Sequence, residues 1–110
     1  MKYLITIALM LSVHSFADSY SKKSTIKQIG GIESRENGDF IILDGFTSAG
    51  TCPLSGGLVV ARFRSDEKGS RTFSLGLAAK MAGKKITLSV NDDVKNGNGF
   101  CYVHSLMIDD

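Results

Sequence analysis

The stretch FSLGLAAKMAGKKITLSVNDDVKNGNGFCYVHSLMI, residues 73–108, decides the fold. It opens as a helix, predicted over residues 72–82. Phe73, Leu77, Ala78 and Met81 fall on one apolar stripe at helical spacing. Gly83 follows where a left-handed residue closes a helix. Lys80, Lys84 and Lys85 sit near that end, where positive charge complements the helix dipole. Gly76 weakens the helix by about 1 kcal/mol relative to alanine and would permit close contact with a sheet. Ile86, Leu88 and Val90 then alternate with Thr87 and Ser89, the pattern of a half-buried strand. Residues 91–99, rich in Asn, Asp and Gly, read as a turn. Residues 100–108 form the last strand. Cys101 and Val103 share one parity and Leu106 and Ile108 the other, which predicts a bulge near His104 and Ser105.

Working back toward the N-terminus, residues 18–24 are polar and read as a loose lead-in. Residues 25–35 read as a first strand, with Gly30 and Gly31 marking a bend that resets its apolar face. Asn37-Gly38 is a strong hairpin signal, because both central residues of that turn take positive φ. Residues 40–46 form the return strand, an Ile/Leu run that fits burial on both faces. Residues 47–57 are a small-residue loop holding Pro53 and Cys52. Residues 58–64 form a third strand, with Val59, Ala61 and Phe63 on the core face and Arg62 and Arg64 pointing outward. The charged segment 65–70 reads as a turn into the helix. The order is strand, strand, strand, helix, strand, strand (β-β-β-α-β-β). This makes the protein mainly β with one helix, and the order matches an OB-like five-stranded Greek-key barrel plugged by the helix. An open α+β sandwich is the competing architecture.

The chain begins with Lys2, an apolar run over residues 4–13, and Ser15-Phe16-Ala17, which places small residues at both key positions of a cleavage site. Residues 1–17 therefore read as a signal peptide, with cleavage after Ala17. The apolar run is too short for a membrane span, which needs about 20 residues. Residues 18–110 then form one domain, with a secreted or periplasmic location and no membrane span after cleavage. Thirteen basic residues face eleven acidic ones, for a net charge of +2. No clustered positive face stands out, which argues against a nucleic-acid partner. The two cysteines, Cys52 and Cys101, both lie beyond the leader. An oxidising compartment would close them into a disulfide; a pair of free thiols is the alternative.

Catalytic signals are weak. His104 is the one histidine beyond the leader, and no Gly-x-Ser-x-Gly elbow accompanies it. It reads as a sheet residue rather than a catalytic base, so no catalytic residue is assigned and the chain is read as a non-enzyme. One histidine and a bridged cysteine pair cannot supply the four ligands of a structural zinc site. Asn91, Asp92, Asp93, Asn96 and Asn98 offer oxygen ligands but lack EF-hand spacing, and a solvated turn is the simpler reading. No metal and no cofactor is expected. The glycines of GTCPLSGG are not followed by a phosphate-loop lysine. Arg62 and Arg64 are candidate contacts for an anionic ligand such as an acidic sugar, with Arg71 a further candidate. Tyr102, an apolar ring with a polar tip, is a candidate sugar contact. All four residues equally suit a plain soluble surface.

The helix–strand unit LGLAAKMAGKKITLSV and the cysteine strand GFCYVHSLMI resemble a group of small exported bacterial proteins similar to the B subunit of subtilase cytotoxin. The resemblance covers residues 40–108. It implies an OB-fold, a ring of identical subunits, glycan binding, and an enzymatic activity carried by a separate subunit. No sugar-contacting residue transfers from that family by position. The functional expectation is a non-catalytic binding module that recognises a glycan. A secreted protein–protein interaction module, such as an inhibitor or accessory subunit, is the alternative, and a small hydrolase using His104 stands third.

Overall fold

The computed structural model describes residues 19–33, 37–95 and 99–109. The expected signal peptide, residues 1–17, lies outside them. The described chain is mainly β, with one helix among the described residues. Its order is β1 (Ser19–Ser24), β2 (Ile26–Gly30), β3 (Phe40–Leu43), β4 (Leu54–Ser55), β5 (Leu58–Val59), β6 (Ala61–Arg62), α1 (Glu67–Ala82), β7 (Ile86–Lys95) and β8 (Cys101–Ile108). Six strands form one mixed sheet in the order β1-β7-β8-β6-β3-β2, and β4 pairs with β5 as a small hairpin. Among the described residues only β6 and β8 run parallel; every other pairing is antiparallel.

The polar segment before Thr25 is not a loose lead-in. It is β1, and all six of its residues pair with β7. The cause lies in its partner. Ile86, Leu88 and Val90 of β7 are at most 1% exposed, and a strand so placed must satisfy its backbone N–H and C=O groups on both edges. Side-chain polarity does not oppose that pairing, because one face of β1 looks outward. Thr25 alone separates β1 from β2, so the two ends of the sheet are adjacent in sequence. The bend is pinned by Asp44. Thr25 Oγ1 donates to its carboxylate at 2.7 Å, and Asp44 N donates to Thr25 O at 3.1 Å.

Several expected boundaries move. The first strand ends at Gly30; residues 34 and 35 of its expected span and Glu36 of the expected hairpin turn lie outside the described residues. Asn37 does take positive φ, at 54°. The strand expected over 40–46 stops at Leu43, because Gly45 turns the chain at φ 74°. The loop expected over 47–57 contains β4 and its turn, in which Gly56 and Gly57 both take positive φ. The third strand is interrupted at Val60, and β7 runs on to Lys95 through part of the expected turn. The bulge in the last strand is where the parity change places it. Ser105 pairs with Ser89 and Val103 with Val90, leaving His104 as the extra residue.

The helix begins a turn and a half earlier than its apolar pattern suggests. Asp66 caps it, accepting from Gly69 N at 2.8 Å. Gly83 closes it in the left-handed conformation at φ 67°, as expected. Its buried residues are Gly69, Gly76 and Ala79, not the predicted stripe. Leu77 is 38% and Met81 86% exposed. The helix packs against β8 and β2 through its smallest side chains, which brings its backbone close to the sheet. A Cβ on Gly69 would collide with the Arg64 carbonyl, and one on Gly76 would meet Ile29 Cδ1 at 2.8 Å. Phe73 packs edge-on against Phe63 at 5.3 Å, and Lys80 Nζ donates to Ile26 O at 2.9 Å.

The largest fully buried side chains of the core are Ile41, Leu43, Val59, Phe63, Ile86, Leu88, Val90 and Cys101, all under 2% exposed. Cys52 and Cys101 form a disulfide with Cα atoms 5.5 Å apart across a sequence separation of 49. In the chain-entropy model a loop of that length stabilises the fold by about 4 kcal/mol. Replacing both cysteines by alanine is therefore expected to lower unfolding stability by about 2–5 kcal/mol. A denaturant midpoint that does not move would refute that cross-link as a structural element. Gly69→Ala is expected to destabilise by about 1–3 kcal/mol despite alanine's better helix propensity, because the obstructing atom is backbone. Urea unfolding of the variant checks this, and a gain in stability would mean that the helix does not lie so close to Arg64.

Candidate functional site

Alternate residues of a strand share a face, and Ala61, Phe63, Cys101 and Val103 turn inward on β6, its extension and β8. The opposite parity carries Arg62, Arg64, Phe100 and Tyr102 outward. Arg62 and Tyr102 are register partners across the parallel pair. The result is a ladder of cations and rings. The Arg62 guanidinium carbon lies 4.7 Å from the Phe100 ring centre and 5.7 Å from that of Phe40. The Arg64 guanidinium carbon lies 4.1 Å from the centre of Tyr102. Such stacks are worth about 0.5–1 kcal/mol at exposed sites and more when desolvated. His104 follows Tyr102 on the same parity and lines a recess with Arg64 and Asn91.

The two arginines do not share an environment. The expectation that both point into solvent holds for Arg64 and fails for Arg62, which is 5% exposed. Arg62 sits mid-sheet, where Phe40 and Phe100 flank its guanidinium, and its Nη1 donates to Gly38 O at 2.9 Å. That bond also holds the turn before β3. The same turn is clamped to the end of the third strand. Asn37 N donates to Ser65 Oγ at 2.8 Å, Ser65 N to Asn37 Oδ1 at 2.6 Å, and Phe63 N to Asp39 O at 2.8 Å.

The structure brings Arg62, Arg64 and Tyr102 together and leaves Arg71 apart, on an exposed part of α1 with Glu67, Ser70, Ser74 and Leu75. Phe40, Phe100 and His104 join the site without having been singled out as ligand contacts. The parity of Phe100, Tyr102 and His104 was a usable signal; the adjacency of β6 and β8 was not. In the oxygen-rich segment Asn91 and Asp92 are engaged by protein groups, and Asn96 and Asn98 lie outside the described residues. Ser19 Oγ donates to Asn91 Oδ1 at 2.6 Å, Thr51 N to Asp92 Oδ2 at 3.3 Å, and Thr51 Oγ1 to Asp92 O at 3.2 Å. Among the described residues no group of three or more His, Cys, Asp or Glu side chains is placed to hold a metal ion.

Comparison of the chain with protein-family models, with curated proteins and with solved structures found no match.

The contrast between the arginines yields a stability test. Arg62→Ala removes a buried charge-assisted hydrogen bond and the filling between two rings, so it is expected to destabilise by about 2–4 kcal/mol. Arg64→Ala, at the exposed end, is expected to stay within about 0.5 kcal/mol of the parent. Chemical denaturation of the two variants measures the difference, and equal losses would contradict this assignment.

Proposed function

We propose that this chain is a non-catalytic carbohydrate-binding module built as an OB-like Greek-key barrel and exported from the cytoplasm. In this reading β1 and β2 are one strand bent at Thr25, and β5 and β6 are one strand interrupted at Val60. Five strands then remain around the core, with α1 between the third and fourth. Three observations support closure: the sheet ends meet at a single residue, β6 runs parallel to β8, and the remaining pairs are antiparallel. Barrels of this kind present oligosaccharide sites on their second and third strands and the adjoining loops. Those positions here are β3, β6, the turn at Asn37-Gly38 and the approach to β8 at Phe100.

The observation that carries the reading is the ladder of Phe40, Arg62, Phe100, Arg64 and Tyr102. Aromatic faces suit the apolar faces of sugar rings, and guanidinium edges suit their polar substituents. Arg62 is a positioning residue, since its burial leaves little of it for a ligand. Export is supported by the N-terminal sequence pattern and by the disulfide. No helix among the described residues is long and apolar enough to cross a membrane. The resemblance to toxin B subunits extends the proposal to a ring of identical subunits serving a separate catalytic partner.

A docking role on another protein is the second reading. One observation favours it: Leu77 and Met81, one turn apart on α1, are both exposed.

A glycan array probed with protein purified after expression of the full chain tests the first reading. Binding is expected, with loss of signal in Phe100→Ala and Tyr102→Ala and retention in Arg71→Ala. Absence of signal from folded protein on every glycan would reject carbohydrate binding, and a monomeric solution mass would remove the toxin-like ring. Met81→Asp is expected to leave array binding intact; its loss would point to the helix face instead.

A further inference from the structure

The ladder ends in a cavity at each side, and the two differ in chemistry. Beside Phe40 lies a cavity of about 210 Å³ walled by Phe40, Ile42, Val60 and Arg62, with Gln28 at its margin. Ile42 and Val60 are outer-face residues, yet only 9% and 5% exposed. Beyond Tyr102 a cavity of about 350 Å³ opens between the end of the third strand, the first turns of α1 and the bulge in β8. Its charged and polar walls are Arg64, Asp66, Lys68, Thr72 and His104. A recess of about 100 Å³ containing Arg64, Tyr102 and His104 links the ladder to it.

We infer that the ladder takes an acidic sugar in one direction: ring faces lie on Phe40, Phe100 and Tyr102, and an acidic substituent enters the 350 Å³ cavity. The inference rests on the carbohydrate reading above and adds the ligand's charge and polarity. The shared chemistry is a singly charged oxyanion on a pyranose, either a sulfate ester or a uronate carboxylate.

The groups in the cavity fit that role. Arg64 and Lys68 are the basic side chains and Asp66 is the single carboxylate among the lining residues. One Asp66 oxygen already accepts from Gly69 N, and the hydroxyl of Thr72 is engaged on Lys68 O at 2.9 Å. Stacking on Tyr102 fixes the plane of Arg64 and leaves the in-plane N–H edge for a forked contact with an oxyanion. His104 follows Phe100 and Tyr102 on the same parity and lines the cavity beside Arg64. The four-residue step from Phe100 to His104 spans about 13 Å at ~3.3 Å per residue, which suits a short oligosaccharide better than a monosaccharide.

Titration calorimetry with protein from the full chain tests the proposal using N-acetyllactosamine, its 6-sulfated form and a glucuronate-terminated disaccharide. At least one acidic probe is expected to bind about tenfold tighter than the neutral one, the worth of one charge-assisted hydrogen bond; which one does so identifies the anion. Arg64→Gln is expected to bring the acidic and neutral probes to within about twofold of one another, and Phe100→Ala to weaken all probes about tenfold. Equal binding of neutral and acidic probes would overturn the directional proposal and leave carbohydrate binding standing. So would Arg64→Gln weakening every probe alike. Failure of all three probes, with the array also blank, would remove the carbohydrate reading itself. A single-stranded oligonucleotide binding more tightly than any saccharide would replace the ligand class.

Discussion

The parallel contact of β6 with β8 is the constraint on which the remaining structure depends. Parallel neighbours cannot be joined by a hairpin. The chain must therefore leave β6, cross through α1, and return by way of β7 before β8 can be laid down. That route puts the helix against the sheet, where it packs on β8 and β2. The register fixed at Arg62 and Tyr102 sorts the side chains on both strands. Ala61, Phe63, Cys101 and Val103 go to the core, and the cations and rings go to the outer face. A slip of one residue would exchange the two sets, placing two arginines in the core. The disulfide guards against that slip, because it begins at the first residue of β8 and ties the β8 inner face to the chain at Cys52.

The helix follows from the same constraint. A crossover that must lie close to the sheet favours small residues at the contact, and α1 supplies Gly69, Gly76 and Ala79 there. Two glycines weaken the isolated helix by about 2 kcal/mol together. A cap at each end offsets part of that, together with the Phe73–Phe63 contact and the bond from Lys80 to Ile26. The larger apolar residues Leu77 and Met81 are then left on the far side, available for contacts other than the core.

Much of the fold was legible in the sequence, and the illegible parts share a cause. The alternation of Ile86, Leu88 and Val90, the glycine cap at Gly83, the parity change at His104 and the cysteine pair are local or compositional signals, and each corresponds to a feature of the structure. The polar strand β1 is held by backbone pairing, which leaves no trace in side-chain polarity. The buried helix face is made of glycine and alanine, which carry almost no hydropathy signal, so the pattern pointed to Leu77 and Met81. The site was legible one residue at a time. Arg62, Arg64 and Tyr102 were identifiable by type, but their stacking with Phe40 and Phe100 depends on strands brought together by the crossover, which no short window of sequence contains.

Arg62 and Arg64 are two positions apart on β6 and its extension, yet the fold gives them different surroundings. A guanidinium buried mid-sheet is tolerable only where its donors and its faces are occupied. For Arg62, the Gly38 carbonyl takes Nη1 and the rings of Phe40 and Phe100 lie against the guanidinium. In return, Arg62 holds those two rings at fixed positions on an otherwise open surface. Rings held in advance lose less freedom when a ligand lands on them, so more of the contact energy remains as affinity. Arg64 rests on a single ring at the open end. Its orientation is set, but its hydrogen-bonding edge is exposed beside the cavity. In the proposed carbohydrate site, the buried arginine thus organises the platform, and the exposed one gives it a preferred charge at one end.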